Sequence, residues 1–173
     1  NRLAIYCQNK NNEDIVYNLG IPSETTSGLI KRIKNECESR NPNTVIISIG
    51  INDALYLNDI EKNKTDIETF ENNIEEIIDI CKIYTRNILF IGLTRVNEKY
   101  TVPISWNHNE SYFNKNIEKY NQKIKECCIK KQIAFLNILD KMEMQNLSSD
   151  GIHPNEMGHR KLFEILKEEL MEG

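Results

Sequence analysis

The sequence predicts an α/β domain with a parallel sheet and right-handed crossovers. Three observations predict it. Thr44-Val45-Ile46-Ile47-Ser48-Ile49 is an almost unbroken β-branched run, the pattern of a strand covered on both faces. Asn87-Ile88-Leu89-Phe90-Ile91-Gly92-Leu93 repeats that pattern. Between and around such runs lie segments with apolar residues at i, i+3 and i+4, so that strand and helix alternate four times.

In chain order, residues 1 to 9 read as the tail of a helix, with no cap before them. A short strand is expected over Asp14 to Leu19, ending at Gly20. Ser23, Thr25 and Thr26 offer N-caps to a helix carrying Leu29, Ile30, Ile33 and Cys37 on one face. Pro42 and Asn43 punctuate before the Thr44–Ile49 strand, which reads as the most buried one. A helix is expected from about Thr65 to Tyr84, with Ile67, Phe70, Ile74, Ile77, Ile78 and Cys81 in register. After the Asn87–Leu93 strand, Thr94 to about Asn109 shows no period and reads as a long loop, a length usually tied to function or disorder. A helix from about Ser111 to Lys131 turns Phe113, Ile117, Tyr120, Ile124 and Cys127 inward. A last strand spans Ile133 to Ile138, and a helix from Pro154 to Met171 closes the chain, with Pro154 suited to its first position. There are no internal repeats and no low-complexity linker.

Composition narrows the function. The 173 residues make one ordinary domain, long enough to bury roughly 70% of its unfolded surface without a disulfide or metal staple. Net charge is -4 and the signs are mixed along the chain, so no basic stripe points to nucleic acid. No apolar run approaches the roughly 20 residues that span a bilayer. Cys7, Cys37, Cys81, Cys127 and Cys128 lie in helical segments without C-x-x-C spacing, which fits buried thiols in a reducing compartment and a cytoplasmic location.

The chemistry concentrates in two stretches. In Ser148-Ser149-Asp150-Gly151-Ile152-His153-Pro154-Asn155 a carboxylate and an imidazole stand three residues apart in a loop. Asp150 can orient the His153 ring, and the ring can act as a general base. The plainer alternative is a turn aspartate and a histidine that merely precedes a helix. Gly50-Ile51-Asn52-Asp53 ends the first long strand, and the Asn52 amide can face a developing oxyanion or form an Asx turn. Gly20 can offer its N–H to the same oxyanion or serve as a turn glycine. Sites in open α/β sheets form beyond the carboxyl ends of the strands. Gly20, Gly50, Leu93 and the Asp150–His153 loop all follow expected strand ends and so converge on one rim. Trp106, in the long loop beside His108 and Asn109, can stack on a sugar or line an acyl pocket if its indole is exposed, or can anchor the loop, and Glu98 can hold that loop by an ion pair or be solvated. His108 and His159 lack the spacing of a zinc pattern, so no metal site is expected.

These stretches resemble the GDSL/SGNH hydrolase family. Gly20 in Asn18-Leu19-Gly20 looks like the second family motif. Gly50-Ile51-Asn52-Asp53 matches the third, and Asp150-Gly151-Ile152-His153-Pro154 matches the fifth. Gly92-Leu93 through Val96-Asn97-Glu98, and Tyr120-Asn121, are also similar to family acylhydrolases. The resemblance spans nearly the whole chain. It implies a flavodoxin-like, three-layer α/β/α fold and a serine ester hydrolase acting on a small acyl ester. Asp150 and His153 would be the acid and base of the triad, and Gly20 N–H and the Asn52 side chain would form the oxyanion hole. No cofactor is implied. The family's first motif, Gly-Asp-Ser on the first strand, is absent from residues 1–173. Ser23, Ser27, Ser48, Ser105, Ser111, Ser148 and Ser149 lack its context. The chain opens where the family is already in the helix after that strand, so the domain is expected to be incomplete at its N-terminus. A missing strand would leave a slot between Asp14–Leu19 and Thr44–Ile49, keeping those two segments from pairing. The alternative is a non-catalytic binding module that kept the fold without the nucleophile. A nucleotide binder is disfavoured, because no Gly-rich phosphate loop follows any strand.

Overall fold

A computed structural model of the protein describes residues 2–11 and 13–172, with side chains described through residue 170. Three strands form a parallel sheet in the order β1 (Thr44–Ile47), β4 (Asn87–Ile91), β6 (Ala134–Leu136). Thr44 stands opposite Asn87 and Ile47 opposite Phe90, while Leu89 stands opposite Ala134. The helices that connect these strands are α3 (Ile67–Tyr84) and α5 (Asn114–Lys131). Helix α2 (Thr26–Arg40) packs closely on α3, and α3 packs on α5. On its own, α1 (Arg2–Lys10) meets the closing helix α6 (Glu156–Glu172), where Tyr6 and Phe163 meet edge to face at 5.9 Å. The α/β plan with parallel strands is the one the sequence predicts.

Why these elements form is legible locally. Asp66 accepts Thr69 N–H at 2.9 Å and so caps α3, whose Phe70, Ile74, Ile77, Ile78 and Cys81 are completely buried. Ile117, Tyr120, Ile124, Cys127 and Cys128 of α5 close the same core. The five cysteines are free thiols on helices, four of them buried. No described helix is long and apolar enough to cross a membrane.

Several expectations need correction. Asp14–Leu19 forms no strand: the segment is irregular and mostly exposed, since no neighbouring strand offers it a ladder. Among the described residues β1 pairs with β4 alone, so its other edge is open and Asp14–Leu19 does not pair with it. For that reason β1 is not the most buried strand. Only Ile47 of its four residues is buried, whereas Ile88, Leu89 and Phe90 of β4 all are. The parallel strands number three among the described residues, not four. Ser48 lies just past the end of β1, not inside it, and is exposed. Helix α6 begins at Glu156 and not at Pro154, because Asn155 takes the cap position: its Oδ1 accepts Gly158 N–H at 3.0 Å. Pro154 instead bridges back to Leu147. The helix expected from residue 1 is α1, and its Asn1 lies outside the described residues.

The stretch read as a structureless loop is built. Short helix α4 (Glu98–Thr101) opens it, and β5 (Glu110–Ser111) follows it. Strand β5 joins a small antiparallel sheet in the order β3 (Lys62–Asn63), β2 (Tyr56–Leu57), β5. Two-residue strands leave too short a run for any period to show in the sequence.

Candidate active site

The Asp150–His153 loop is closed on itself and pinned at both ends. Ser148 N–H donates to His153 O at 2.7 Å, and Gly151 N–H donates to Ser148 O at 3.0 Å. The Asn155 amide holds Gln145 O and Leu147 O at 2.8 and 2.9 Å. Ile152 is buried in the core, while its neighbour His153 is exposed and Asp150 is partly buried. Asp150 Oδ1 accepts Ile152 N–H at 2.8 Å and His153 N–H at 3.0 Å. That leaves Oδ2 aimed at His153 Nδ1, 2.8 Å away. A carboxylate only accepts, so Nδ1 carries a proton, and in the neutral ring Nε2 then holds the lone pair. The His153 side chain is 69% exposed, and among the described residues nothing hydrogen-bonds Nε2. Partial burial pushes the Asp150 carboxyl up, but the Ile152 N–H, the His153 ring and the His153 N–H together outweigh it and leave the group below its ordinary value. The pair is thus an ionised carboxylate orienting a ring with a free basic nitrogen.

The loop is also held from the side. Asn97 N–H donates to Gly151 O at 2.8 Å. Asn97 starts α4, and α4 is clamped to α5: the Asn114 side chain accepts from Val96 N at 2.9 Å and donates to Val96 O at 3.0 Å. Glu98 Oε1 accepts Asn114 N–H at 2.6 Å, so Glu98 fixes the loop by capping a helix, not by an ion pair.

Gly50-Ile51-Asn52-Asp53 leaves the carboxyl end of β1. Gly50 has φ +123°, and a Cβ there would press on Phe70 and Ile124 at 3.1 to 3.4 Å. Asp53 is fully buried and ties this turn to α2: Thr26 N–H reaches its two oxygens at 3.2 and 3.1 Å, and Thr26 Oγ1–H donates to Oδ1 at 2.6 Å. Burial pushes the Asp53 carboxyl above its ordinary value, and the hydrogen bonds from Thr26 and Thr65 offset only part of this. Thr25 occupies the cap position of α2 without a side-chain cap, a role that Asp53 fills from a distance. Asn52 Nδ2 donates to Glu24 O at 3.0 Å, and Asn52 Oδ1 accepts from Tyr112 Oη at 3.1 Å. One amide hydrogen remains for another acceptor.

The other sequence-predicted residues fall as follows. Gly20 is exposed in the strandless segment, and its N–H donates to Asn18 Oδ1 at 3.1 Å, so no strand end delivers it to the rim. Trp106 is 58% exposed in the turn after α4, beside the buried Ile104. Asn58 of the segment after β2 holds that turn through His108 O and Ser111 Oγ, both at 3.0 Å. His108 and His159 are exposed and join no group of metal-ligating side chains among the described residues. A groove of about 590 Å³ beside α6 is lined by Met157, Arg160 and Lys161; His153 is not part of it. Sequence reasoning missed Tyr112 and the anchoring role of Asp53. The available signal for Asp53 was its place next to Asn52; Tyr112 is sixty positions away and gave none.

Solved structures share the fold. The lipase/acylhydrolase from Enterococcus faecalis superimposes with a TM-score of 0.73 at 21% identity, over 90% of this chain and 74% of its own. The acetyl xylan esterase AlAXEase gives 0.76 at 17%, over 96% and 86%. The acetyl xylan esterase Axe2 from Geobacillus stearothermophilus, in a variant form, gives 0.70 at 18%, over 93% and 75%. No curated protein sequence matches the chain. The family model of the GDSL-like Lipase/Acylhydrolase family matches residues 1–161, and with that match over most of its length the chain belongs to this family.

Proposed function

We propose that the protein is a serine ester hydrolase in which His153 is the general base, Asp150 orients it, and the Asn52 amide stabilises the oxyanion. The observation that carries this reading is the 2.8 Å contact between Asp150 Oδ2 and His153 Nδ1, with Nε2 left open to solvent. In the reaction a serine hydroxyl attacks the ester carbonyl while His153 Nε2 takes its proton. The same nitrogen then protonates the leaving alcohol, and water repeats the cycle to release the acid. The free amide hydrogen of Asn52 faces the charge that develops on the carbonyl oxygen. Gly20 N–H is the second donor in this reading, which requires it to leave Asn18 Oδ1. No cofactor enters any step.

The nucleophile is a serine of a Gly-Asp-Ser segment outside residues 1–173, on a strand that lies along the open edge of β1. The unpaired edge of β1 leaves room for such a strand, whose backbone groups would partner those that β1 leaves free among the described residues. Acetylated sugars are the first substrate class to test, because two of the solved neighbours are acetyl xylan esterases. The exposed Trp106 indole can stack on a sugar ring. A second reading, a binding module without catalysis, rests on one observation: residues 1–173 contain no Gly-Asp-Ser.

A fluorophosphonate probe separates the two. Applied to the full-length protein and mapped by mass spectrometry, it labels one serine in the enzyme reading, and the label is lost in His153→Ala. A protein that takes no label and turns over no acetyl ester is the binding module.

A further inference from the structure

Asn52 is held at both ends of its amide, and only one of the two partners is backbone. Glu24 O can only accept, so it fixes which end of the amide is Nδ2. At the other end Tyr112 Oη lies 3.1 Å from Asn52 Oδ1, and with Oδ1 an acceptor the tyrosine must donate. Tyr112 is itself clasped. Its N–H donates to Thr101 O at 2.9 Å, and Thr101 Oγ1–H donates to Tyr112 O at 2.9 Å. Thr101 is fully buried and Tyr112 is 6% exposed, so the phenol has little freedom to swing away.

We propose that Tyr112 is a positioning residue: its hydroxyl fixes the rotation of the Asn52 amide and thereby aims the free Nδ2 hydrogen at the reacting carbonyl oxygen. This rests on the reading of Asn52 as the oxyanion donor. The donated bond also polarises the amide, which makes its remaining N–H a better donor. Burial, with Glu110 adding, pushes the Tyr112 hydroxyl up to about 12, so near neutral pH it keeps the proton it donates. The small antiparallel sheet then has a task in the site, since β5 delivers Tyr112 immediately after Ser111.

The test is a double-mutant cycle on the full-length protein with a nitrophenyl acetate. Tyr112→Phe keeps the ring and removes only the hydroxyl. It should lower kcat about 3- to 10-fold, the range for one lost neutral hydrogen bond, with KM changed less than about twofold. Asn52→Ala should lower kcat about 10²- to 10³-fold. In the double variant Tyr112→Phe should have no further effect, because nothing is left to aim. A wild-type kcat in Tyr112→Phe, or the same loss in the presence and absence of Asn52, overturns the proposal and leaves the role of Asn52 standing. A wild-type kcat in Asn52→Ala is a different failure: it removes the oxyanion role and with it any work for Tyr112. A readout independent of turnover is the Asn52 side-chain amide resonance, identified by its absence in Asn52→Ala. It should move in Tyr112→Phe, and an unmoved resonance overturns the proposal.

Discussion

Gly151→Ala is the smallest change that should damage the site. Gly151 sits at φ +74°, a left-handed conformation that costs an alanine about 1–2 kcal/mol. A methyl group there would meet Asn97 O at 3.0 Å, and Asn97 Cβ and Tyr100 Cβ at 3.2 Å. The neighbours cannot simply retreat, because Asn97 N–H is bonded to Gly151 O and α4 is clamped to α5 through Asn114. Overpacking of this kind adds about 1–3 kcal/mol. The sum, about 2–5 kcal/mol, corresponds to a Tm lower by roughly 5–15 °C for a domain of this size. Relief of the clash must move the turn in which Asp150 Oδ1 accepts two backbone N–H groups, so activity should fall even at temperatures where the variant is folded. Thermal unfolding by circular dichroism and ester hydrolysis at low temperature measure the two effects. A Tm within about 2 °C of the parent, with full activity, would refute the claim that α4 and the Asp150–His153 loop are locked together at this glycine.

Two further predictions concern carboxylates with opposite pH behaviour. Asp53→Ala leaves Thr26 N–H and Oγ1 without this buried partner and should cost about 1–3 kcal/mol. Burial raises Asp53, so its contribution is full below the unfolded value near roughly pH 4 and shrinks as pH rises through the raised one; denaturant titrations of both proteins across pH should show the gap narrowing upward. Asp150 is lowered, so the stability gap between parent and Asp150→Asn should be present above roughly pH 4 and close as pH falls through the depressed value. A gap that widens on acidification would contradict the hydrogen bonds assigned to Asp150.

The sequence is most readable where contacts are local or periodic. Helix α3 shows its buried face because Phe70, Ile74, Ile77, Ile78 and Cys81 repeat at helical spacing. The Asp150–His153 pair shows because both residues lie on one four-residue turn. Strand Asp14–Leu19 fails for the opposite reason: a strand exists only with a partner, and its composition cannot report that none of the described residues pairs with it. The same lack of a neighbour exposes β1, whose β-branched run promised full burial. The antiparallel sheet of β2, β3 and β5 has strands too short to carry a pattern, and the Tyr112–Asn52 bond it makes possible crosses sixty positions. Pro154 matched the start of a helix by type, yet Asn155 won the position because its side chain satisfies three backbone groups at once.

The central claim is that His153 is the base of an ester hydrolase, and steady-state kinetics of His153→Ala in the full-length protein test it most directly. Its side chain is mostly exposed, so the substitution should leave Tm nearly unchanged and isolate the chemistry. With an acetyl ester as substrate, kcat should fall by on the order of 10⁴–10⁶, the range seen when a triad loses its base. Turnover within about tenfold of the parent would remove His153 from the reaction and contradict the account.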